Sequence, residues 1–505
     1  MLAIGQQKLD VLSLCALAVV VVAATVLSLV VPALMPWSFL ALAGAGVLLY
    51  WSLRWEITLW TWVWILSYGL LDRPLWYGVM EGFFNLTIPR LIFAAAVVGF
   101  ALFFLVRGKR LHFDRPILWA ILALVAYVAV NASVAGWKTQ IALQMPYYRF
   151  LVAMLFPFLM FFLVYNSVDR EKQIAWALIP LSLYGWYALY IAYLQYAAIV
   201  GFPSARQFIW PDYINQPTWG SDNFGIHFDR ARGAYTMVYP QAILLTLLFY
   251  ADLLLIRKVR GGYRAALMVQ AVLIPPAIFF TGLRAAYLAF LLCGVVWCLW
   301  GARGRLGKSK LALSALALGL AVIFFWSAVS SRERKVGGVG QVPEALARVT
   351  LARQALEVAA QNPLFGVGFG HFADVQANLQ YGEGGTTEQA FATSLSQHNL
   401  LLVMLADTGV VGLALTLAVF YLVFRESRQL YRRISPDAPG LLCRPLVVLW
   451  WVMMVNYLTN AMFADPFWDI PSTALFWSLG AMIVAYNRLL KRQGAETPSL
   501  AASGA

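Results

Sequence analysis

Residues 361–372 read QNPLFGVGFGHF, and residues 397–413 read QHNLLLVMLADTGVVGL. Between them lies a polar segment rich in Gly, Thr and Glu. The second stretch opens on Gln397, His398 and Asn399 and passes into an apolar run long enough to cross the ~30 Å hydrocarbon core of a bilayer. A loop therefore returns to a membrane helix here, and His398 stands at the return. On an α-helix, positions i and i+11 differ by only ~20°, because eleven steps of ~100° come to just over three turns. A continuous helix thus puts His398 and Gly409 on one face, with Gly412 close by. Glycines on that face let a second helix, or a lipid-borne substrate, pack closely below the imidazole. Asp407, nine residues after His398, falls about 180° away and reads as a polar contact to another helix.

The rest of the chain has the same character. Of its 505 residues 62% are hydrophobic and only 12% charged, against ~25% charged in soluble domains. Continuous apolar runs exclude an alternating β-barrel. The fold class is therefore all-α, a polytopic helical membrane protein. About 14 spans are expected, near 10–31, 33–53, 55–71, 90–106, 116–134, 148–167, 174–200, 235–256, 265–281, 284–300, 311–330, 400–424, 445–463 and 472–488. The first is long for a signal peptide and reads as a retained helix. Pro275-Pro276 should kink or break the ninth. The spans read as nearly free of charge, with titratable residues gathered outside them, which favours an enzyme over a transporter. Cys15, Cys293, Cys298 and Cys443 fall in no loop placed outside the membrane, so disulfides are not expected, and no Cys/His cluster has metal-ligand spacing.

Most of the 37 Lys and Arg residues fall in short segments on one side of this arrangement: 107–115, 257–264, 303–310, 425–444 and 488–492. That side is cytoplasmic by the positive-inside rule, and both termini lie there. The formal charge of +14 is thus a topology and lipid-headgroup signal, with no basic domain to bind nucleic acid. The organisation is N-terminal helices over 1–200, an extracytoplasmic loop over 201–234, central helices over 235–330, a large extracytoplasmic loop over 331–397, C-terminal helices over 398–490 and a cytoplasmic tail over 491–505. The large loop should hold a helix that begins near Pro343, carries the i,i+4 pairs Glu344/Arg348 and Arg353/Glu357, and ends at Asn362-Pro363. Gly382–Thr387 reads as a flexible stretch.

Few residues are suited to chemistry. Gly366, Gly368 and Gly370 follow a helix rather than a strand, which removes the dinucleotide-loop reading and leaves a tight turn. His398 is either a helix-start histidine bonded to a carbonyl or a proton acceptor near neutral pH. Arg284 follows Thr281-Gly282-Leu283 at a short outer turn. It either snorkels to headgroups or grips a phosphate with its two-pronged guanidinium. Arg348 either pairs with Glu344 or does the same, with Arg353 as the fallback. Arg232, before Gly233, is a weaker candidate, and Arg230 reads as a solvated charge. Asp465 and Asp469 around Pro466 read as a capped short loop or a site for a cation or amino-sugar.

The pattern His398, Asn399, nine residues, Gly409, two residues, Gly412 resembles the signature of bacterial O-antigen ligases and protein O-oligosaccharyltransferases. The run 362–368, NPLFGVG, resembles the same superfamily, which also holds O-antigen polymerases. The likeness covers roughly the C-terminal half. It implies a lipid-donor membrane glycosyltransferase of the bacterial inner membrane, acting in lipopolysaccharide or surface-polysaccharide synthesis. The implied donor is a glycan on undecaprenyl diphosphate, and the acceptor is a glycan, lipid A-core or a protein hydroxyl. Membrane lipids surround the enzyme, and no cofactor or metal is required. By resemblance His398 is the base, while Arg284 and Arg348, with Arg232 behind them, hold the diphosphate. Asn399, Gly409 and Gly412 serve the motif and its packing.

Overall fold

A computed structural model describes residues 63–65, 67–68, 88–107, 111–138, 146–210, 230–235, 238–301, 342–379, 399–436, 438–463 and 470–502. Among the described residues the regular structure is entirely helical. The helices are α1 (Ile88–Arg107), α2 (Pro116–Ala135), α3 (Pro146–Ser167), α4 (Lys172–Ile199), α5 (Val238–Leu255), α6 (Gly261–Phe280), α7 (Arg284–Gly301), α8 (Val342–Gln361), α9 (Phe372–Leu379), α10 (Leu400–Arg433), α11 (Arg444–Ala461) and α12 (Ile470–Ala502).

Nine of these are long and apolar enough to cross a membrane, and they coincide with nine of the expected spans. The expected span 445–463 is α11, whose Arg444, Asn456 and Asn460 dilute its apolar character. The spans expected at 10–31, 33–53 and 311–330, most of 55–71, Gly382–Thr387 and the 465–469 loop lie outside the described residues.

Local sequence explains the irregularities. Pro157 lacks an N–H, and in a regular α-helix its ring presses on the carbonyl four residues back. Ahead of it α3 widens into a π-turn over Phe150–Leu155, where the Phe156 N–H donates to the Leu151 carbonyl. α6 continues through Pro275-Pro276 instead of breaking. The Tyr193 hydroxyl of α4 donates to the Leu273 carbonyl in that disturbed turn, at 3.1 Å.

α12 is the central helix, with 89% of an 18-residue window of its Ile470–Lys491 span buried, and it packs on α3 and α10. α2, α6 and α7 are peripheral, each about one-third buried. Side chains such as Val134 and Leu105, 86% and 78% exposed, form faces that no described residue covers. Lipid removes most of the hydrophobic drive between helices, so close packing and polar ties matter more, at ~0.6–2 kcal/mol per hydrogen bond. Examples are Asn456 Nδ2 to the Ile243 carbonyl at 2.9 Å, joining α11 to α5, and Gln270 Nε2 to the Ser182 carbonyl at 2.9 Å, joining α6 to α4.

The expectation of nearly charge-free spans is corrected. Arg149, Asp252 and Asp407 are buried within the expected spans, and Glu426 is buried just past the span expected at 400–424. Each has a nearby polar partner, which makes burial tolerable. Arg149 stands by Asp407, Ser182 bonds Asp252, and Glu426 meets Arg115 at 3.6 Å and Asn487 at 2.6 Å. The bundle therefore has two distinct ends. One gathers the basic residues around Arg115, Arg433, Arg444 and Arg488. The other, the loop end, carries α8, α9, the starts of α3 and α10, and the α6–α7 turn.

Candidate active site at a broken helix

α10 begins where the sequence says it should. The side chain of Asn399 caps it, its Oδ1 accepting from the N–H groups of Leu401 at 3.0 Å and Leu402 at 3.1 Å. His398, one residue earlier, lies outside the described residues. The one-face argument for His398, Gly409 and Gly412 is corrected, because the helix is broken at Gly409 (φ 66°, ψ −169°). The rotational phase that relates residues before 409 to those after it is lost there.

The break is filled by the glycine loop. In an unbroken helix the N–H groups of Val410 and Val411 would bond the carbonyls of Ala406 and Asp407. Instead the carbonyls accept from Val367 and Gly368, at 3.0 and 2.9 Å. The two N–H groups donate to Pro363 and Leu364, at 2.8 and 3.3 Å. The Thr408 carbonyl accepts from the Tyr127 hydroxyl at 2.6 Å. The break thus leaves none of these five backbone groups unpaired, as burial requires.

Glycine is needed on both sides of this contact. A Cβ on Gly409 would stand 2.3 Å from the Leu364 carbonyl, and one on Gly366 (φ 68°) 2.4 Å from the Asp407 carbonyl carbon. The close approach expected at the glycines is therefore real, but backbone of the same chain occupies it. Gly412 is an ordinary helical residue whose added Cβ would meet the Thr408 hydroxyl and Tyr127.

Side chains from three further elements hold the loop. Asn131 of α2 donates to the Phe365 carbonyl at 2.8 Å and accepts from the Phe369 N–H at 2.7 Å. His371 donates from Nε2 to the Gly136 carbonyl at 2.9 Å, and its Nδ1 lies 3.7 Å from the Asp374 carboxylate. Asp407 accepts from the N–H groups of Gly370 and Phe372, and Arg149 of α3 lies 3.7 Å from the same carboxylate. Asp407 does contact another helix, as its position suggested, and it also fastens the loop.

α8 follows its sequence reading, from Val342 to Gln361, with the Arg353–Glu357 pair formed at 2.8 Å. Its Ala355 and Val358 pack against Phe372 and against Ala406 of α10. Arg348 lies on α8; its side chain is outside the described residues.

A second cluster stands at the α6–α7 turn. Gly282 (φ 61°) lets the turn close. The Ala231 N–H donates to the Phe280 carbonyl at 2.9 Å, docking residues 230–235 onto it. The methylenes and Nε of Arg230 lie across Gly282, 3.1–3.3 Å from where a Cβ would stand. Arg230 is thus half-buried rather than solvated, because glycine leaves room for it. Gln195 clamps Gly233 through both its amide atoms, at 2.8 and 2.9 Å. Burial of Arg232 pushes its guanidinium below the ordinary arginine value. The turn thereby brings Arg230, Arg232 and Arg284 to one corner at the loop end. Among the described residues no three His, Cys, Asp or Glu side chains gather as metal ligands would.

Residues 269–417 match the family model of the O-antigen ligases. This match supports the O-antigen ligase superfamily. The ligase-like region takes in Arg284, Arg348, the glycine loop, His398, Asn399, Gly409 and Gly412. It leaves out Arg230, Arg232, Asn131 and Arg149, which the fold supplies from elsewhere in the chain. No curated protein matches the chain. Arg149 and Asn131 were missed in the sequence, where each reads only as a polar residue near the end of an apolar run.

Proposed function

We propose that this protein transfers a glycan from undecaprenyl diphosphate to an acceptor hydroxyl, in the manner of an O-antigen ligase. The loop end faces outward from the cytoplasmic membrane, because the opposite end carries the basic residues. The imidazole of His398 takes the proton of the acceptor hydroxyl as its oxygen attacks the anomeric carbon. The bond from that carbon to the diphosphate oxygen breaks, and undecaprenyl diphosphate leaves. In-line attack inverts the anomeric centre. Arg284 and Arg348, with Arg232 beside the first, grip the diphosphate and offset the charge that develops on it. Fixed guanidinium groups supply this electrostatic stabilisation without a metal.

The observation that carries this reading is the coincidence of the family match with one structural feature. The matched stretch contains a capped helix start directly after His398, and a loop docked into the same helix nine residues on.

Ligase-type transfer to lipid A-core is favoured over polymerisation or protein O-glycosylation by the His398-Asn399, Gly409, Gly412 pattern. The buried ionisable groups that a transporter reading would use are each engaged with neighbours inside the bundle. His398→Ala is expected to leave the protein folded and inserted while lowering transfer by on the order of 10²–10⁴-fold. Wild-type turnover by the purified variant would remove His398 from the mechanism. In cells lacking the protein, long glycan should accumulate on the carrier; single repeat units there would replace the ligase reading with a polymerase one.

A further inference from the structure

Asp407 has no role in the chemistry above, yet its contacts at the break are extensive. Its carboxylate is fully buried. Oδ2 accepts from the Gly370 N–H at 2.9 Å, and Oδ1 from the Phe372 N–H at 3.0 Å. Arg149 Nη1 lies 3.7 Å from Oδ2; this arginine is 4% exposed and stands 5.9 Å from the centre of the Phe369 ring. The backbone carbonyl of Asp407 also accepts from the Gly368 N–H. Bonds from amides to a buried carboxylate are roughly twice as strong as neutral ones. Removing the negative charge would also take a carboxylate away from beside a buried guanidinium.

What Asp407 fastens is specific. On one side is the loop 362–372, which continues directly from α8 and therefore from Arg348. On the other is the segment of α10 that starts immediately after His398-Asn399. α8 and that segment already share a small apolar core, and Asp407 locks their relative height and rotation.

We propose that Asp407, with Arg149, is a positioning residue that holds the Arg348 helix and the Asn399-capped start of α10, next in sequence to His398, in one fixed arrangement for glycosyl transfer. It touches no substrate. This inference rests on the glycosyl-transfer reading of His398 and Arg348. Asn at 407 keeps one acceptor oxygen, but its NH₂ turns a donor toward a backbone N–H or the guanidinium. One loop amide then loses its partner and the charge pair is gone. A displacement of ~1 Å at reacting groups costs on the order of 10²-fold in rate.

The test uses the purified full chain with Leu364→Cys and Val410→Cys. These two exposed positions flank the backbone bonds across the break, so oxidation can tie loop to helix. With the bridge reduced, Asp407→Asn should lower kcat by on the order of 10²-fold while leaving the KM for carrier-linked glycan nearly unchanged. Closing the bridge should restore most of kcat in that variant and change nothing in its absence. A general loss of folding would not be repaired by one local tether. The bridge should also form more slowly in Asp407→Asn, whether or not the protein is turning over.

Parental kcat in Asp407→Asn, or a loss that the bridge leaves untouched, would overturn the proposal. If Asp407→Asn does not fold, Arg149→Lys keeps the charge and loses the fork. It should lower kcat about tenfold with an unchanged unfolding temperature, and parental kcat there overturns the proposal equally. His398→Ala, assayed beside these, separates the two ideas. An active His398→Ala together with a bridge-repaired Asp407→Asn would remove the base and keep the anchor.

Discussion

Alanine at position 409 tests the broken helix directly. A side chain at φ 66° and ψ −169° carries strain of about 1–3 kcal/mol. Its Cβ would also stand 2.3 Å from the Leu364 carbonyl, so the two backbones cannot keep their present distance. If the loop withdraws and the break remains, the strain persists. The four hydrogen bonds across the break are then lost, at about 0.5–1.5 kcal/mol each, for a total of about 3–9 kcal/mol. If α10 straightens, the strain vanishes and Val410 and Val411 recover their helical carbonyls. Two bonds are then unreplaced, and the cost falls to about 1–3 kcal/mol. The second route is lower in free energy. Gly409→Ala is therefore expected to give a folded protein with a continuous α10, a released 363–372 loop and an unfolding temperature a few degrees lower. Thermal unfolding in detergent measures the stability, and limited proteolysis across 363–372 reports the loop. Gly412→Ala is the comparison, because its Cβ would meet the side chains of Thr408 and Tyr127 rather than a second backbone. A Gly409→Ala protein with parental unfolding temperature and a protected loop would refute this account of the break.

Three further outcomes are expected. Arg284→Lys and Arg348→Lys, which keep charge but lose the two-pronged grip, should lose most transfer activity in a purified assay; full activity in both would mean that charge alone suffices. A cysteine placed at Gly384 should react with a membrane-impermeant reagent in intact cells, and reaction only after the inner face is opened would invert the topology. At the basic end, burial raises the Asp114 carboxyl, but the hydrogen bond from Tyr165, its own backbone contact, and Arg115 and Arg488 outweigh that and hold it below 3.8. Its contribution to stability is therefore present above that ordinary value and lost as pH falls through the lower folded one. The unfolding-temperature gap between parent and Asp114→Asn should accordingly close in acid and be full near neutrality; a gap independent of pH would show that the charge is not what matters.

Much of the helical framework was legible because its signals are local. The start of α10 near residue 400, the ends of α8 and the Arg353–Glu357 pair each depend on residues close to one another in the chain. Periodicity could not foresee the break at Gly409, because a glycine in an apolar run looks the same whether it is helical or extended. Its true signal was the second glycine set at 366–370, whose role as a turn was read correctly but whose partner was not. Arg149 and Asn131 escaped for a related reason. Their value comes from loop atoms more than two hundred positions away, and no spacing rule reaches that far. The arginine corner was half visible. Arg284 and Arg232 were candidates separately, but only the docking of Ala231 on the Phe280 carbonyl puts them together.

The Tyr127–Thr408 and Asn131–Phe369 bonds join positions 281 and 238 residues apart, which sets an order on biogenesis. As the chain emerges from the ribosome, α2 is made long before the 363–372 loop. That loop in turn is made before the segment of α10 into which it fits. None of the bonds that seat the loop in α10 can close until α10 itself has entered the bilayer. During that interval the chain is inserted but the seat between loop and helix is unmade, so the arrangement at the broken helix is complete only after α10 has been made and inserted.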